Sequence, residues 1–465
     1  MAKIRSQYFC QSCGVIYSRW SGKCDSCDEW NTIIEDNSRR EKLRQGFHKK
    51  VKQGRAIPLE LLSKEEIKEE ERIQTNISEL DRVTGGGFVR GSVILVGGDP
   101  GIGKSTLLMQ TATSLSNRKY HIVYVSGEEA IGQIRLRAKR LNTINSDVKI
   151  AIETNVEDIL ETLTTTEKPD LVIIDSIQTL WSKEAESSPG TVIQVRTSVQ
   201  LMIQYAKTNN ISIVLVGHVT KEGQIAGPRV IEHMVDAVLY FEGSTSNAQH
   251  DYRILRGVKN RFGPTDEIGV FEMSNEGLIE VSDPSRIFLS NRDSTSPGVA
   301  VFAGIEGTRS LLVEIQSLVV PTSLGMPRRT VVGWDSSRLA MILAVLEARC
   351  KIKFGNHDVH LNVAGGYRIS EPAADLAVAA ALISSIYSIP LPNDCVYFGE
   401  VSLSGDLRSV GHIQQRLKEA EKIGFLSGVF PESAKVDCKI GAINNKYISK
   451  LNHLVKQITN LQEIR

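Results

Sequence analysis

Four short apolar runs rich in β-branched residues recur between residues 92 and 218. They are Ser92-Val93-Ile94-Leu95-Val96, His121-Ile122-Val123-Tyr124-Val125-Ser126, Pro169-Asp170-Leu171-Val172-Ile173-Ile174-Asp175-Ser176 and Ile211-Ser212-Ile213-Val214-Leu215-Val216-Gly217-His218. Near-continuous apolar character, rather than strict alternation, predicts strands buried on both faces of a mostly parallel sheet. Segments of helical composition separate them: Thr106–Ala112 after the first run, and a helix carrying Ile131, Ile134 and Leu141 after the second. This alternation predicts an α/β domain with helices on both faces of the sheet. Two later runs, Ala237–Phe241 and Tyr252–Arg256, read as antiparallel additions. From Ser282 to Pro297 turn residues replace the pattern, so a boundary falls there, and Val299–Arg465 reads as a separate α/β unit.

Charge changes this picture only near the start. Residues 36–71 are dense in both signs, with Arg39-Arg40-Glu41-Lys42-Leu43-Arg44 followed by Lys64-Glu65-Glu66-Ile67-Lys68-Glu69-Glu70-Glu71. A solvated, partly helical linker is the reading, although its basic half around His48-Lys49-Lys50 could also touch phosphate. Net charge over the chain is +1, so bulk electrostatics neither indicate nor exclude a nucleic-acid partner. No apolar run approaches the roughly 18 residues that span a bilayer, and Met1–Tyr8 lacks the apolar centre of a signal peptide. A cytoplasmic protein with reduced or metal-bound cysteines is expected.

The first strand runs into Gly98-Asp99-Pro100-Gly101-Ile102-Gly103-Lys104-Ser105, a G-x-x-x-x-G-K-S sequence, and Thr106 continues into the helix. Strand, glycine loop and helix form the context in which backbone N–H groups converge on phosphate oxygens. Lys104 reaches the β- and γ-phosphates, and the Ser105 hydroxyl serves Mg²⁺. A nucleoside triphosphate with Mg²⁺ is the predicted ligand. Hydrolysis needs more groups. Asp175, closing a buried strand, is placed to hold the Mg²⁺ water shell beside Ser105. Glu128, after the neighbouring strand, is a candidate to orient or deprotonate water, and is favoured over its neighbour Glu129. His218 closes another strand and is placed to relay nucleotide state to the loop 219–229, or is structural. Lys259-Asn260-Arg261-Phe262-Gly263 sets two cations around a polar residue. Those cations either stabilise charge on a γ-phosphate, in particular one bound by a neighbouring subunit, or form an exposed basic turn.

Cys10-x-x-Cys13 and Cys24-x-x-Cys27 stand ten residues apart within the first thirty. Paired knuckles at this spacing can place four thiolates around one Zn²⁺, and so short a segment would fold on the metal's binding energy. Four thiolates leave no open position, so the zinc is structural rather than catalytic. Cys350, Cys395 and Cys438 stand alone among apolar neighbours and read as buried. The predicted organisation is a zinc module at 1–35, a linker at 36–71, an ATPase domain at 72–284 and a further α/β domain at 285–465.

Taken together, the cysteine knuckles, the Gly98–Ser105 loop, Ser126-Gly127-Glu128-Glu129, Asp175 and the Lys259–Gly263 pentapeptide resemble the bacterial RadA (Sms) family, RecA-like ATPases of DNA repair. The resemblance covers essentially the whole chain, and the pentapeptide is its most specific part. It implies a homohexameric ring in which Lys259 and Arg261 complete a neighbour's nucleotide site. It also implies single-stranded DNA and branched recombination intermediates as substrates, ATP-driven branch migration, and the recombinase RecA as a partner. The C-terminal unit resembles the peptidase domain of the Lon ATP-dependent proteases. Aligned to that pattern, the nucleophile falls on Ala373 and the lysine on Gln414, while Ser370 and Lys418 are nearby but off position. A methyl group cannot attack a carbonyl and an amide cannot act as base, so peptidase chemistry is not expected. A scaffold role remains, with Arg328, Arg329, Arg338, Arg349, Lys351 and Lys353 either serving DNA backbone contacts or forming a scattered solvated set. A nucleotide-switched adaptor without motor activity is the alternative to a DNA-dependent ATPase.

Overall fold

The computed structural model describes residues 8–17, 19–35, 71–218, 230–243, 252–289, 296–322, 326–434 and 443–461. The linker 36–70, the loop 219–229 and Cys438 therefore lie outside the described residues. The chain divides into two compact units: Met1–Glu242 with Leu255–Thr265 and Ser274–Leu278, and Gly243–Ile254 with Asp266–Met273 and Ile279–Arg465. The division does not fall at one point in the sequence.

The first unit begins with a three-stranded antiparallel sheet of β1 (Tyr8–Cys10), β2 (Ile16–Tyr17) and β3 (Ile33–Glu35), in the order β2-β1-β3. After a short antiparallel pair, β4 (Arg72–Ile73) and β5 (Phe88–Val89), which brackets α1 (Ser78–Thr84), the main sheet starts. Its strands are β6 (Val93–Gly98), β7 (Ile122–Ser126), β8 (Lys149–Ile152), β9 (Leu171–Asp175), β10 (Ser212–His218) and β11 (Ala237–Gly243). They lie in the order β11-β6-β10-β9-β7-β8, and every pairing is parallel. β12 (Tyr252–Asn260) follows beside β11. The helices are α2 (Lys104–Asn117), α3 (Ile131–Arg140), α4 (Val156–Thr165), α5 (Val192–Asn209) and α6 (Val230–Met234).

The central strands are buried along their whole length, as the unbroken apolar runs predict. One core combines Val93, Leu95, Val172, Ile174, Ile213 and Leu215 with α4 and α5 residues such as Ile159, Val195 and Met202. Asn155 and Thr191 cap α4 and α5 by accepting from Asp158 N and Gln194 N. Of the three apolar residues expected to hold α3 down, Ile134 and Leu141 are buried, but Ile131 is 40% exposed.

One expectation is corrected. β11 is not an antiparallel addition: Ala237 pairs with Ile94 and Phe241 with Gly98 in parallel register. The connection 219–236, which includes α6, is long enough to return the chain to the same end of the sheet, as parallel pairing requires.

In the second unit a seven-stranded mixed sheet has the order Arg329–Val332, His357–Val363, Arg309–Pro321, Val299–Glu306, Cys395–Tyr397, Ser427–Pro431, Asn444–Ile448. The helix Asp375–Tyr387 is buried from Asp375 through Ser384. Its run of small residues, Ala377 with Ala379, Ala380 and Ala381, lets it sit deep in this core. No helix among the described residues is long and apolar enough to cross a membrane.

Candidate functional site

The parallel register brings the carboxyl ends of β6, β7 and β9 to one edge, where open α/β sheets bind ligands. From β6 the chain turns through the glycine loop into α2. Gly101 (φ +77°) and Gly103 (φ +116°) hold left-handed backbone that side chains resist. At Gly98 (φ +156°) a Cβ would stand 2.5 Å from the Phe241 carbonyl, so no side chain fits there. Pro100, Gly101, Gly103, Lys104, Ser105 and Thr106 line a cleft of about 390 Å³. Gly98 and Asp99 turn their carbonyls to Lys104 Nζ, which donates at 2.7 and 2.9 Å, and Ile102 N closes the turn on Asp99 O. Burial pulls the Lys104 ammonium below its usual range, against the opposing charges of Asp175, Asp99 and Glu128.

Across the cleft, Asp175 Oδ2 accepts from Ser105 Oγ at 2.6 Å and from Tyr124 OH at 2.6 Å. Burial and the adjacent carboxylate push the Tyr124 phenol well above its ordinary range, so it remains a proton donor to Asp175. A serine hydroxyl and a carboxylate in contact, opening on a polar cleft, are the hard oxygen donors that suit Mg²⁺. Glu128 and Glu129 both line the cleft, but they are held differently. Arg137 grips both oxygens of Glu129, one at 2.6 Å, whereas Glu128 accepts from the Ser176 hydroxyl. The loop between them is pinned by Gly127 N to Asp175 O (2.8 Å) and by Glu129 N to Ser126 Oγ (2.9 Å).

Lys104, Ser105, Glu128 and Asp175 therefore converge. Lys259 and Arg261 do not line this cleft. Lys259 Nζ donates to the carbonyls of Glu232 (2.8 Å), His233 (3.1 Å) and Val235 (2.7 Å), closing the C-terminal end of α6. Arg261 pairs with the buried Asp236 at 3.2 Å, and its side chain is 52% exposed. His218 ends β10 opposite Gly98, but its side chain lies outside the described residues. Tyr124, Ser176, Arg137 and Arg140 are cleft or supporting residues that pattern reading did not find. Tyr124 was hidden inside a strand, and the two arginines inside the basic run of α3.

In the cysteine module, Cys10 and Cys27 Sγ are 3.6 Å apart, Cys13 and Cys24 3.4 Å, and all four lie within 4.8 Å of one another. Four sulfurs at about 2.3 Å from one zinc in a tetrahedron stand about 3.8 Å apart, so the cluster fits that ion. Gly14, at φ +74°, donates its N–H to Cys10 O and makes the first knuckle's turn. Burial opposes ionisation of Cys24, but Tyr17 OH (3.1 Å) and the backbone N–H groups of Ser26 and Cys27 outweigh it and bring the thiol down to about 6. Burial and the neighbouring sulfurs push Cys13 and Cys27 up instead.

In the second unit, Ala373 is buried and Gln414 exposed, with Ser370 and Lys418 also on the surface. Among the basic residues named above, Arg338 pairs with the fully buried Asp375 by bonds of 2.5 and 2.7 Å. Arg349, Lys351 and Lys353 are exposed, as are Arg328 and Arg329, the latter tied to the carbonyls of His357 and Phe354.

Comparison with known families matches residues 58–224 to the AAA domain, 8–35 to the rubredoxin metal binding domain, and 320–434 to subunit ChlI of Mg-chelatase. Among curated proteins, the DNA repair protein RadA of Brucella abortus (strain 2308) is 65% identical over 440 residues, covering 93% of each chain. That of Rickettsia felis is 48% identical over 456 residues, 98% of each chain, and that of Bacillus subtilis (strain 168) 47% over 435 residues, 93% of each. With a cysteine module, a phosphate loop in a parallel sheet and relatives at this identity along nearly the full length, the chain belongs to the RadA family of DNA repair proteins.

Proposed function

We propose that this protein is a DNA-dependent ATPase of recombinational DNA repair, which assembles as a homohexameric ring on single-stranded DNA and drives branch migration of recombination intermediates. The observation that carries the reading is the convergence of Lys104, Ser105, Asp175 and Glu128 on one cleft. The loop amides and Lys104 cradle the phosphates of ATP. Ser105 and Asp175 hold Mg²⁺, which supplies neutralising charge to the phosphate oxygens. Glu128, held at one oxygen by Ser176 while Glu129 is occupied by Arg137, orients the attacking water and takes its proton.

Lys259 and Arg261 act in trans. Their absence from the chain's own cleft accords with this, and Lys259 exchanges the α6 carbonyls for a neighbour's phosphate on assembly. The cysteine module holds Zn²⁺ and serves as a docking element for a recombinase partner such as RecA. The C-terminal unit serves as scaffold or DNA surface without peptidase activity, in a cytoplasmic protein.

ATP hydrolysis measured with and without single-stranded DNA tests the reading on wild type, Lys104→Ala and Arg261→Ala. Stimulation by DNA in wild type and loss in both variants is expected. Mixing the two inactive chains restores part of the activity if sites are shared between subunits. Normal hydrolysis by Arg261→Ala defeats the trans assignment. Negligible hydrolysis by wild type at saturating DNA favours a nucleotide-switched adaptor instead.

A further inference from the structure

Six charged side chains line the nucleotide cleft: Lys104, Arg137 and Arg140 against Glu128, Glu129 and Asp175. Lys104 and Arg137 are held differently. Lys104 Nζ donates to the carbonyls of Gly98 and Asp99. Arg137 is engaged in a two-pronged bond with the Glu129 carboxylate. The guanidinium fork that matches a carboxylate also matches two oxygens of a phosphate. The Glu129 side chain thus occupies, on the cleft wall, the position a phosphate oxygen pair would take on Arg137.

The backbone around Glu129 cannot follow an incoming ligand. Gly127 N is bonded to the Asp175 carbonyl, and Glu129 N to Ser126 Oγ. A Cβ at Gly127 would overlap Thr179 Oγ1, so this loop sits tightly on the chain after β9. Arg137 is on α3, 20% exposed, with its bonded Glu129 32% exposed. Exchange of partner therefore falls to the long side chains. Arg137 lines the same cleft as Asp175, Glu128 and the phosphate loop, so its fork faces the space a bound nucleotide would fill.

We propose that Arg137 is a specificity-determining residue of the nucleotide site. It is held by Glu129 when the cleft is empty and released to the terminal phosphate of a bound triphosphate, so that the chain distinguishes tri- from diphosphate. This rests on the nucleotide-site reading above. Entry of a triphosphate adds several negative charges to a lining whose formal charges cancel. The Arg137–Glu129 pair holds positive charge that such a ligand can recruit, beside Lys104 and Arg140. A diphosphate, satisfied by the loop and Lys104, leaves Arg137 on Glu129. Freed Glu129 turns to solvent, which its exposure allows.

The test is equilibrium binding of a fluorescent non-hydrolysable ATP analogue and of fluorescent ADP to the full-length chain. Arg137→Gln is expected to weaken the triphosphate analogue about tenfold or more, the scale of one lost charge-assisted pair, and to leave ADP within about twofold. Glu129→Gln, which loosens the grip without removing the cation, is expected to tighten the analogue several-fold with ADP unchanged. Should Arg137→Gln not fold, Glu129→Gln and Arg137→Lys give the same comparison, the lysine retaining charge but losing the fork. Equal weakening of both nucleotides, or no change in their ratio in any variant, overturns the proposal and reduces the pair to a structural tie. A wild-type chain that binds neither nucleotide overturns the site reading itself, and the proposal with it. Wild-type binding that Lys104→Ala abolishes keeps the site reading intact when the Arg137 test fails.

Discussion

Arg416 is the largest fully buried side chain among the described residues and offers a quantitative test of what holds the C-terminal unit together. It is 1% exposed and donates to Gly411 O at 2.9 Å, Ala303 O at 2.7 Å and Glu371 Oε2 at 3.1 Å, with a further bond to Glu371 Oε1. Its guanidinium also lies 5.6 Å from the Phe398 ring centre. Arg416→Met keeps the aliphatic stem but strips donors from two carbonyls and leaves Glu371, 23% exposed, without its counter-charge. Glu371 Oε2 still accepts from Ile305 N at 3.0 Å, so part of its solvation survives. Removing one partner of a buried pair costs about 3–5 kcal/mol, and the retained bond argues for the lower end, about 3 kcal/mol.

Arg416→Met with Glu371→Gln removes both charges. It is expected to cost less than the sum of the singles, with a coupling of about 1–3 kcal/mol. Trp334 belongs to the same unit, and urea unfolding of chains in which Trp20, Trp30 and Trp181 are replaced by Phe reports on it selectively. A single-variant loss below about 1 kcal/mol, or strict additivity in the double variant, refutes the argument that an ion pair organises this interior.

Tyr124→Phe keeps the ring in the core and deletes the bond to Asp175. The Mg²⁺ concentration at half-maximal ATP hydrolysis is expected to rise several-fold, since about 1 kcal/mol is a factor of about 5; an unchanged requirement refutes a positioning role. Metal analysis of the purified chain is expected to find one zinc, and its removal by a strong chelator to collapse the 8–35 module while nucleotide binding persists. Retention of the module's folded signals after zinc loss refutes the metal assignment. The backbone N–H groups of Asn155 and Thr154 hold Glu153 below the usual carboxylate range. Its contribution to stability is therefore present above about pH 4.5 and is lost as pH falls through the lower folded value. Glu153→Gln should flatten the acid limb of the stability profile, and a slope identical to wild type counts against the assignment.

The candidate site was legible where its chemistry is local. The glycine loop, the strand ending in Asp175 and the two cysteine knuckles each occupy a few consecutive residues, and each of those elements forms. Ser105 and Asp175 meet because β6 and β9 flank β10, an adjacency that a parallel α/β pattern makes available. Spacing does not separate Glu128 from Glu129, because what distinguishes their surroundings is Arg137 on the following helix and Ser176 just after β9. Lys259 was read as a cation for a γ-phosphate or part of a basic turn, and its hold on three carbonyls at the end of α6 was not legible. Arg338 was read as an exposed charge, although a helix elsewhere in the sheet's cover presents it with Asp375. In each case the decisive partner is remote in sequence, and no periodicity encodes it. The direction of β11 was missed for a related reason: alternation of elements does not reveal where a long connection returns the chain.

The pairing of β10 with β6 places His218 opposite Gly98, and the pairing of β11 places Phe241 opposite the same glycine. Neighbouring strands stand about 4.8 Å apart, so the phosphate loop leaves the sheet between two other strand ends at single-strand spacing. With Gly98 already packed against the Phe241 carbonyl, the loop has no slack on that side. A displacement of the phosphate loop is therefore delivered directly to the ends of β10 and β11. The nucleotide cleft and the carboxyl ends of β10 and β11 thereby share one row of backbone pairing at Gly98.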